Sequence, residues 1–283
     1  MPNHHVCALE DFGALRLRGP DTAKFLQGQL SNDMGRLAPG AILRAGLHNP
    51  QGRTVALLWL AAREGNELLA LLPRELAPTV ATHLGRYLLR SKVVISDDSA
   101  ETRLYGIWAP DAPPALPQSV VLDANRALLI QSSGAAPPPG APMIREHWRS
   151  LDIAAGVPQV YTATSAQFVA QMLNLDCIDA ISFNKGCYTG QEVIARAHYR
   201  GRVKRRMQRF ESLEPRELSP GDAGRFEDGR SFRVIETVRR PDGCSEFLAV
   251  APLPQIQREA EEASASAAPL RASALPLPYA LPD

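Results

Sequence analysis

Along residues 7 to 18 apolar and polar positions alternate loosely, and the run stops at Gly19-Pro20, which predicts a first strand. The period then changes. Asp21 stands where an N-cap would, and Ala23, Phe25-Leu26 and Leu30 recur at helical spacing. Residues 40 to 47 and 53 to 61 read as strands around the turn Asn49-Pro50-Gln51-Gly52, and residues 66 to 72 as a further short strand. Residues 76 to 89 return to helical period, and 92 to 96 is a β-branched strand. Residues 103 to 108 and 119 to 130 are predicted strands, separated and followed by the Pro/Ala-rich loops 109 to 118 and 133 to 143.

From 144 the pattern changes. Residues 144 to 153 are a predicted helix carrying Trp148, and a loop runs through Gly156-Val157-Pro158. Residues 191 to 199 form a second predicted helix. Short strands then alternate with turns at 204 to 211, 222 to 226, 231 to 239 and 245 to 251, the spacing of a small antiparallel barrel or sandwich. Residues 257 to 268 are Ala/Glu/Ser-rich and read as a mobile insertion, and 270 to 280 as a returning last strand. There is no internal repeat.

Composition narrows the classes. The chain has 283 residues, room for about two domains. Its 31 Lys and Arg against 30 Asp and Glu argue for no particular partner. The longest apolar run, residues 55 to 62, is too short to span a bilayer, and the first twenty residues lack the apolar core of a signal peptide. The four cysteines, Cys7, Cys177, Cys187 and Cys244, form no CxxC pair, so neither a zinc ribbon nor a disulfide scaffold is indicated, and a reducing cytosol is expected. The six histidines share no metal-ligand spacing, so no metal site is expected.

Chemistry concentrates in the octapeptide Lys185-Gly186-Cys187-Tyr188-Thr189-Gly190-Gln191-Glu192. Its glycines put the thiol on a tight turn, and a neighbouring cation with a following helix start favours thiolate. The same residues also fit an inert structural turn. The basic run Arg196, Arg200, Arg202, Lys204, Arg205, Arg206 and Arg209 fits a phosphate contact or a solvated face, and no aromatic ladder interleaves it. Trp148 and Phe12 fit either core packing or stacking on a planar heterocycle. No G-x-S-x-G, P-loop or post-strand GxGxxG is present.

The stretch from Ser182 to Arg196 resembles the signature of the YgfZ folate-binding proteins, relatives of the aminomethyltransferase of the glycine cleavage system. Residues 25 to 33, Asn49-Pro50-Gln51-Gly52-Arg53, Gly156-Val157-Pro158, residues 168 to 176 and Leu277-Pro278-Tyr279-Ala280-Leu281 are similar to other parts of that family, so the resemblance covers nearly the whole chain. It implies an α+β fold. A ring-like folate-binding region would span residues 1–202, with subdomains near 1–95 plus part of 144–202, and 96–143. A small antiparallel β-barrel would fill 203–283. It further implies tetrahydrofolate as cofactor, with folate-contacting aromatics at Trp148 and Phe12. Cys187 would be the functional thiol, supported by Lys185, Gly186, Tyr188, Gly190, Gln191 and Glu192. Lys185 and the turn amides would stabilise its thiolate. Partners would be iron–sulfur client or assembly proteins, with tRNA reached indirectly and no membrane.

The sequence departs from aminomethyltransferases where they carry an acid just after the hairpin turn. Here Thr54-Val55-Ala56-Leu57-Leu58 has no ionisable group, so proton transfer lacks its agent and aminomethyltransferase activity is not expected. Phe12 replaces a common Trp, Ala154 a glutamate of some relatives, and Ala170 a common proline. The expected function is a cytosolic folate-binding accessory protein for iron–sulfur enzymes such as those that modify tRNA. A folate-dependent one-carbon transferase and a direct tRNA-binding module remain the alternatives.

Overall fold

The computed structural model describes residues 3–201, 203–254 and 268–282. Its contacts divide into two compact units that do not follow chain order. One comprises residues 1–48, 55–148 and 180–189, the other 49–54, 149–179 and 190–283.

The first unit is built from two sheets. Its elements are β1 (His5–Ala8), β2 (Phe12–Arg18), α1 (Thr22–Gln29), β3 (Ile42–His48), β4 (Thr54–Arg63), β5 (Glu67–Pro73), α2 (Ala77–Gly85), β6 (Val94–Asp97), β7 (Thr102–Trp108), β8 (Ser119–Val121), β9 (Arg126–Ser132) and β10 (Ala141–Pro142). One sheet runs β3-β4-β5-β2-β6 and the other β10-β1-β7-β9-β8. Seven consecutive residues of β4, Val55 to Ala61, are buried, which is why the sequence there is continuously apolar instead of alternating.

The predicted strand over 7 to 18 is two strands in two sheets. β1 pairs with β7 and β2 with β5, and Glu10-Asp11 form the turn between them. The predicted strand over 119 to 130 is likewise broken, by a turn in which Asp123 accepts the Asn125 N–H. Asp21 precedes α1 without capping it. Its carboxylate accepts the Lys92 N–H at 2.8 Å instead.

Helix α3 (Arg145–Ala154) leads from the first unit into the second. The second unit continues with α4 (Gln191–Tyr199), β11 (Arg205–Ser212), β12 (Ala223–Arg225), β13 (Ser231–Arg239), β14 (Ser245–Pro252) and β15 (Ala272–Leu275). These strands pair antiparallel in the order β12-β13-β14-β11-β15 around a core of Phe210, Phe226, Phe232 and Phe247. The expected barrel takes the form of a five-stranded sheet. Its two ends meet at one bridge, Phe226 to Leu270, and not along a ladder. The described chain is mostly sheet, with four α-helices. Of the expected insertion at 257–268, residues 257–267 lie outside the described residues.

Candidate functional site

The segment Ala180–Thr189 is fastened to the first unit from its start. Ser31 Oγ donates to the Ala180 carbonyl at 2.7 Å and accepts the Gly46 N–H at 2.8 Å, and the Ser182 N–H donates to the Ser31 carbonyl. Lys185 provides the main anchor. Its Nζ donates to the carbonyls of Gln27, Leu30 and Asn32 at 2.7, 2.6 and 2.8 Å. These lie at and just beyond the C-terminal end of α1, where orphan carbonyls and the negative end of the helix dipole favour a cation. Burial pulls the ammonium down to about 8, with Asp33 acting in the opposite direction. The three carbonyls favour the charged form, which alone has three N–H donors to give. The cation expected to serve the Cys187 thiolate is thus engaged with backbone carbonyls. Its Nζ also lies 5.1 Å from the centre of the Tyr188 ring.

Tyr188 is buried, and burial pushes its hydroxyl above the ordinary phenol range. Its ring packs at 6.3 Å against His48, the last residue of β3. His48 is 0% exposed, neither ring nitrogen has a hydrogen-bond partner among the described residues, and burial pulls it down to about 3. The sequence showed His48 only as a turn neighbour. Its signal was Gly46 two positions earlier on the same strand face, where any side chain would meet the imidazole.

Between these anchors Cys187 is an exposed free thiol. Gly186 is also exposed, with open space where a Cβ would stand and no positive φ. The expected need for glycine therefore falls on Gly190 alone.

Gly190 belongs to the second unit. It has φ 82° at the N-cap of α4, and a Cβ there would strike the Asn49 carbonyl and Gly52. Gly52 has φ 70° and faces Val193 of α4. Asn49 holds the hairpin turn by accepting the N–H groups of Gln51 and Arg53. Gln191 and Glu192 open α4, and Glu192 is exposed and pairs with Arg196 at 3.3 Å. Deeper in this unit Arg206 forms a buried ion pair with Asp176 at 2.9 Å and donates to the Gln171 carbonyl at 3.0 Å. Gln171 Nε2 in turn donates to the Ile194 carbonyl of α4.

The basic run does not form one surface. Arg206 is consumed by Asp176, Arg209 by Glu246 and Arg205 by Ser231. Arg196, Arg200 and Lys204 remain exposed, and Arg202 lies outside the described residues.

The two expected folate aromatics lie on different elements, Trp148 on α3 and Phe12 on β2. Trp148 is 1% exposed, fills the space where a Gly106 side chain would be, and carries Arg126 over its ring at 5.5 Å. No face of it is open. Phe12 packs edge-on against Trp59 of β4 at 6.1 Å, under Arg145 at 5.8 Å, and Arg145 is bidentate to Asp11. Arg44 of β3 lies 5.0 Å from the Trp59 ring. The buried Trp59 Nε1 has no hydrogen-bond partner among the described residues. Trp59 was hidden in an apolar run that reads simply as buried strand. Among the described residues no three His, Cys, Asp or Glu side chains gather as a metal site, and no helix is long and apolar enough to cross a membrane.

No protein-family model matches the chain. It is 33% identical over 82% of its length to an uncharacterized protein of Haemophilus influenzae, covering 82% of that protein. It is also 30% identical to the tRNA-modifying protein YgfZ of Serratia proteamaculans, covering 84% of this chain and 81% of that protein. The chain belongs to the YgfZ family. The YgfZ protein of Pectobacterium atrosepticum agrees, at 31% identity over 82% of this chain and 78% of its own length. Among solved structures, the glycine cleavage system aminomethyltransferase T of Bartonella henselae superposes with a TM-score of 0.69, covering 88% of this chain and 78% of that one. At 13% identity this likeness shows a shared fold alone. The stretch after the hairpin turn in this YgfZ chain, Val55 to Leu58, is buried and holds no ionisable group.

Proposed function

We propose that this chain is a cytosolic tetrahydrofolate-binding accessory protein. In this reading it supports iron–sulfur enzymes, including those that modify tRNA, through the thiol of Cys187. The observation that carries the reading is the motif loop. Anchors on either side, the half-buried Lys185 and the buried Tyr188, hold one exposed cysteine at the surface. A purely structural turn gains nothing from exposing its thiol, whereas a thiol that meets a partner or ligand must be reachable. The tRNA part rests on the names of the curated relatives.

The residues fit the implied folate. The Phe12 and Trp59 rings lie together in the first unit beneath Arg145 and Arg44, and Trp59 Nε1 is a buried donor in want of an acceptor. Bound tetrahydrofolate would supply a reduced pterin. Trp59 is buried like Trp148, and what recommends it is its unpartnered Nε1. One-carbon transfer is disfavoured by the missing acid at Ala56 and Leu57, and direct tRNA binding by the internal pairing of Arg205, Arg206 and Arg209.

Titration calorimetry with tetrahydrofolate tests the ligand. Wild type should bind saturably, Trp59→Phe about tenfold more weakly through loss of one buried donor, and Trp148→Phe like wild type. Absence of binding by wild type would remove folate from the reading.

A further inference from the structure

The segment joining α2 to β6 carries a surface unlike the rest of the molecule. Of the large apolar side chains most exposed to solvent, three fall within eight residues: Tyr87 at 37%, Leu89 at 91% and Val94 at 61%. Four exposed cations accompany them. Arg86, Arg90 and Lys92 lie on the same segment, and Arg18 of β2 is the register partner of Val94. None of the four has an ion-pair partner among the described residues. The nearest acid on the neighbouring segment, Asp21, is committed to the Lys92 backbone N–H.

Backbone hydrogen bonds and core side chains hold the segment. Hydrogen bonds run from Tyr87 N–H to the Leu84 carbonyl, from Ser91 N–H to Leu88 and from Val93 N–H to Ser91, at 3.0, 2.7 and 2.9 Å. Leu84 and Val93 anchor the segment in the core, and Gly19, at φ 137°, lets the backbone of Lys92 and Val93 approach where any side chain would collide. Leu89 is held at φ 41°, a left-handed conformation that a leucine seldom adopts, while remaining almost fully solvated. Packing inside the fold therefore does not account for it. β6 adds a further feature. It is the edge strand of its sheet, with β2 as its one ladder partner among the described residues.

We propose that this face, Tyr87, Leu89 and Val94 ringed by Arg18, Arg86, Arg90 and Lys92, docks an extended protein segment in which apolar residues alternate with Asp or Glu. Charge complementarity selects the acids, the apolar trio provides the buried centre, and the free β6 edge receives main-chain hydrogen bonds. The open strand edge favours a polypeptide over an anionic membrane or a nucleic acid, neither of which has peptide groups to continue a ladder.

A fluorescein-labelled twelve-residue peptide of alternating Val and Glu tests this by anisotropy at 50 and 300 mM salt. The same peptide with Lys for Glu serves as control, beside vesicles of phosphatidylglycerol and bulk tRNA. The proposal expects saturable binding of the Val/Glu peptide, weakening at high salt. Arg86→Glu/Arg90→Glu should lower affinity at least about tenfold and Leu89→Ser severalfold, with thermal melting little changed because these side chains are exposed. Failure of the Val/Glu peptide to bind, equal binding of the Lys peptide, or capture of vesicles or tRNA in its place would each overturn it.

Discussion

Cys177 and Cys187 stand ten residues apart and occupy opposite environments. Cys177 lies half-buried against Asp176, 3.7 Å from its carboxylate, with the Arg206 guanidinium 3.8 Å away. Burial, and then the neighbouring negative charge, push its thiol up to about 11. Cys187 is exposed on a loop whose neighbours are fixed to α1 and His48. Residue type alone would make the two equivalent. What separates them is what the chain places around each. One is packed beside a buried ion pair that secures β11, and the other is lifted into solvent by anchors on either side.

The largest effect should come from breaking the ion pair beside Cys177. Arg206→Met leaves the Asp176 carboxylate, 7% exposed, without its partner, and should cost about 3–5 kcal/mol of stability, read by urea titration. An unchanged midpoint would show that the pair is not what holds this region.

The loop bearing Cys187 should fail at the acid end. The unfolded chain protonates His48 below its ordinary 6.5, while the fold takes the proton only near 3. His48 therefore contributes stability that is fully present above pH 6.5 and lost as pH falls. The loss is about 3 kcal/mol by pH 4. His48→Phe should flatten this acid slope, and a slope unchanged in the variant would assign it elsewhere. Cys177 works at the alkaline end, because its raised value makes the unfolded chain give up the proton first. Stability should fall between about pH 9 and 11, and Cys177→Ala should remove that part of the fall.

The smallest perturbation is chemical labelling. At pH 8 a thiol near 11 is ionised about once in a thousand molecules, so iodoacetamide should modify Cys187 well before Cys177 in native protein, and both alike in urea. Equal native rates, read by peptide mass spectrometry, would dissolve the contrast.

Much of the motif was legible in the sequence because its determinants are local. The need for Gly190 and the start of α4 at Gln191 follow from the octapeptide and the residues behind it. The role of Lys185 was not legible. Its acceptors lie 153 to 158 residues away, at an end of α1 that only the fold brings near. The basic run misled for a similar reason. Arg206 reads as surface beside its neighbours, yet strand alternation turns it inward towards Asp176, 30 residues back. Aromatic residues posed the same difficulty. Trp148 fits core packing or stacking by its sequence, and the space over Gly106 that its ring fills is seen only in the fold. The C-terminal strands were readable from their turns, whereas how far their sheet closes depends on one bridge, Phe226 to Leu270, between residues far apart in sequence.

The contrast between the two thiols is tested by replacing each cysteine in turn in cells deprived of their own copy of this protein, with iron–sulfur-dependent tRNA modification as the readout. Cys187→Ser should abolish restoration while Cys177→Ser, expressed to the same level, restores it. Full restoration by Cys187→Ser would contradict the account.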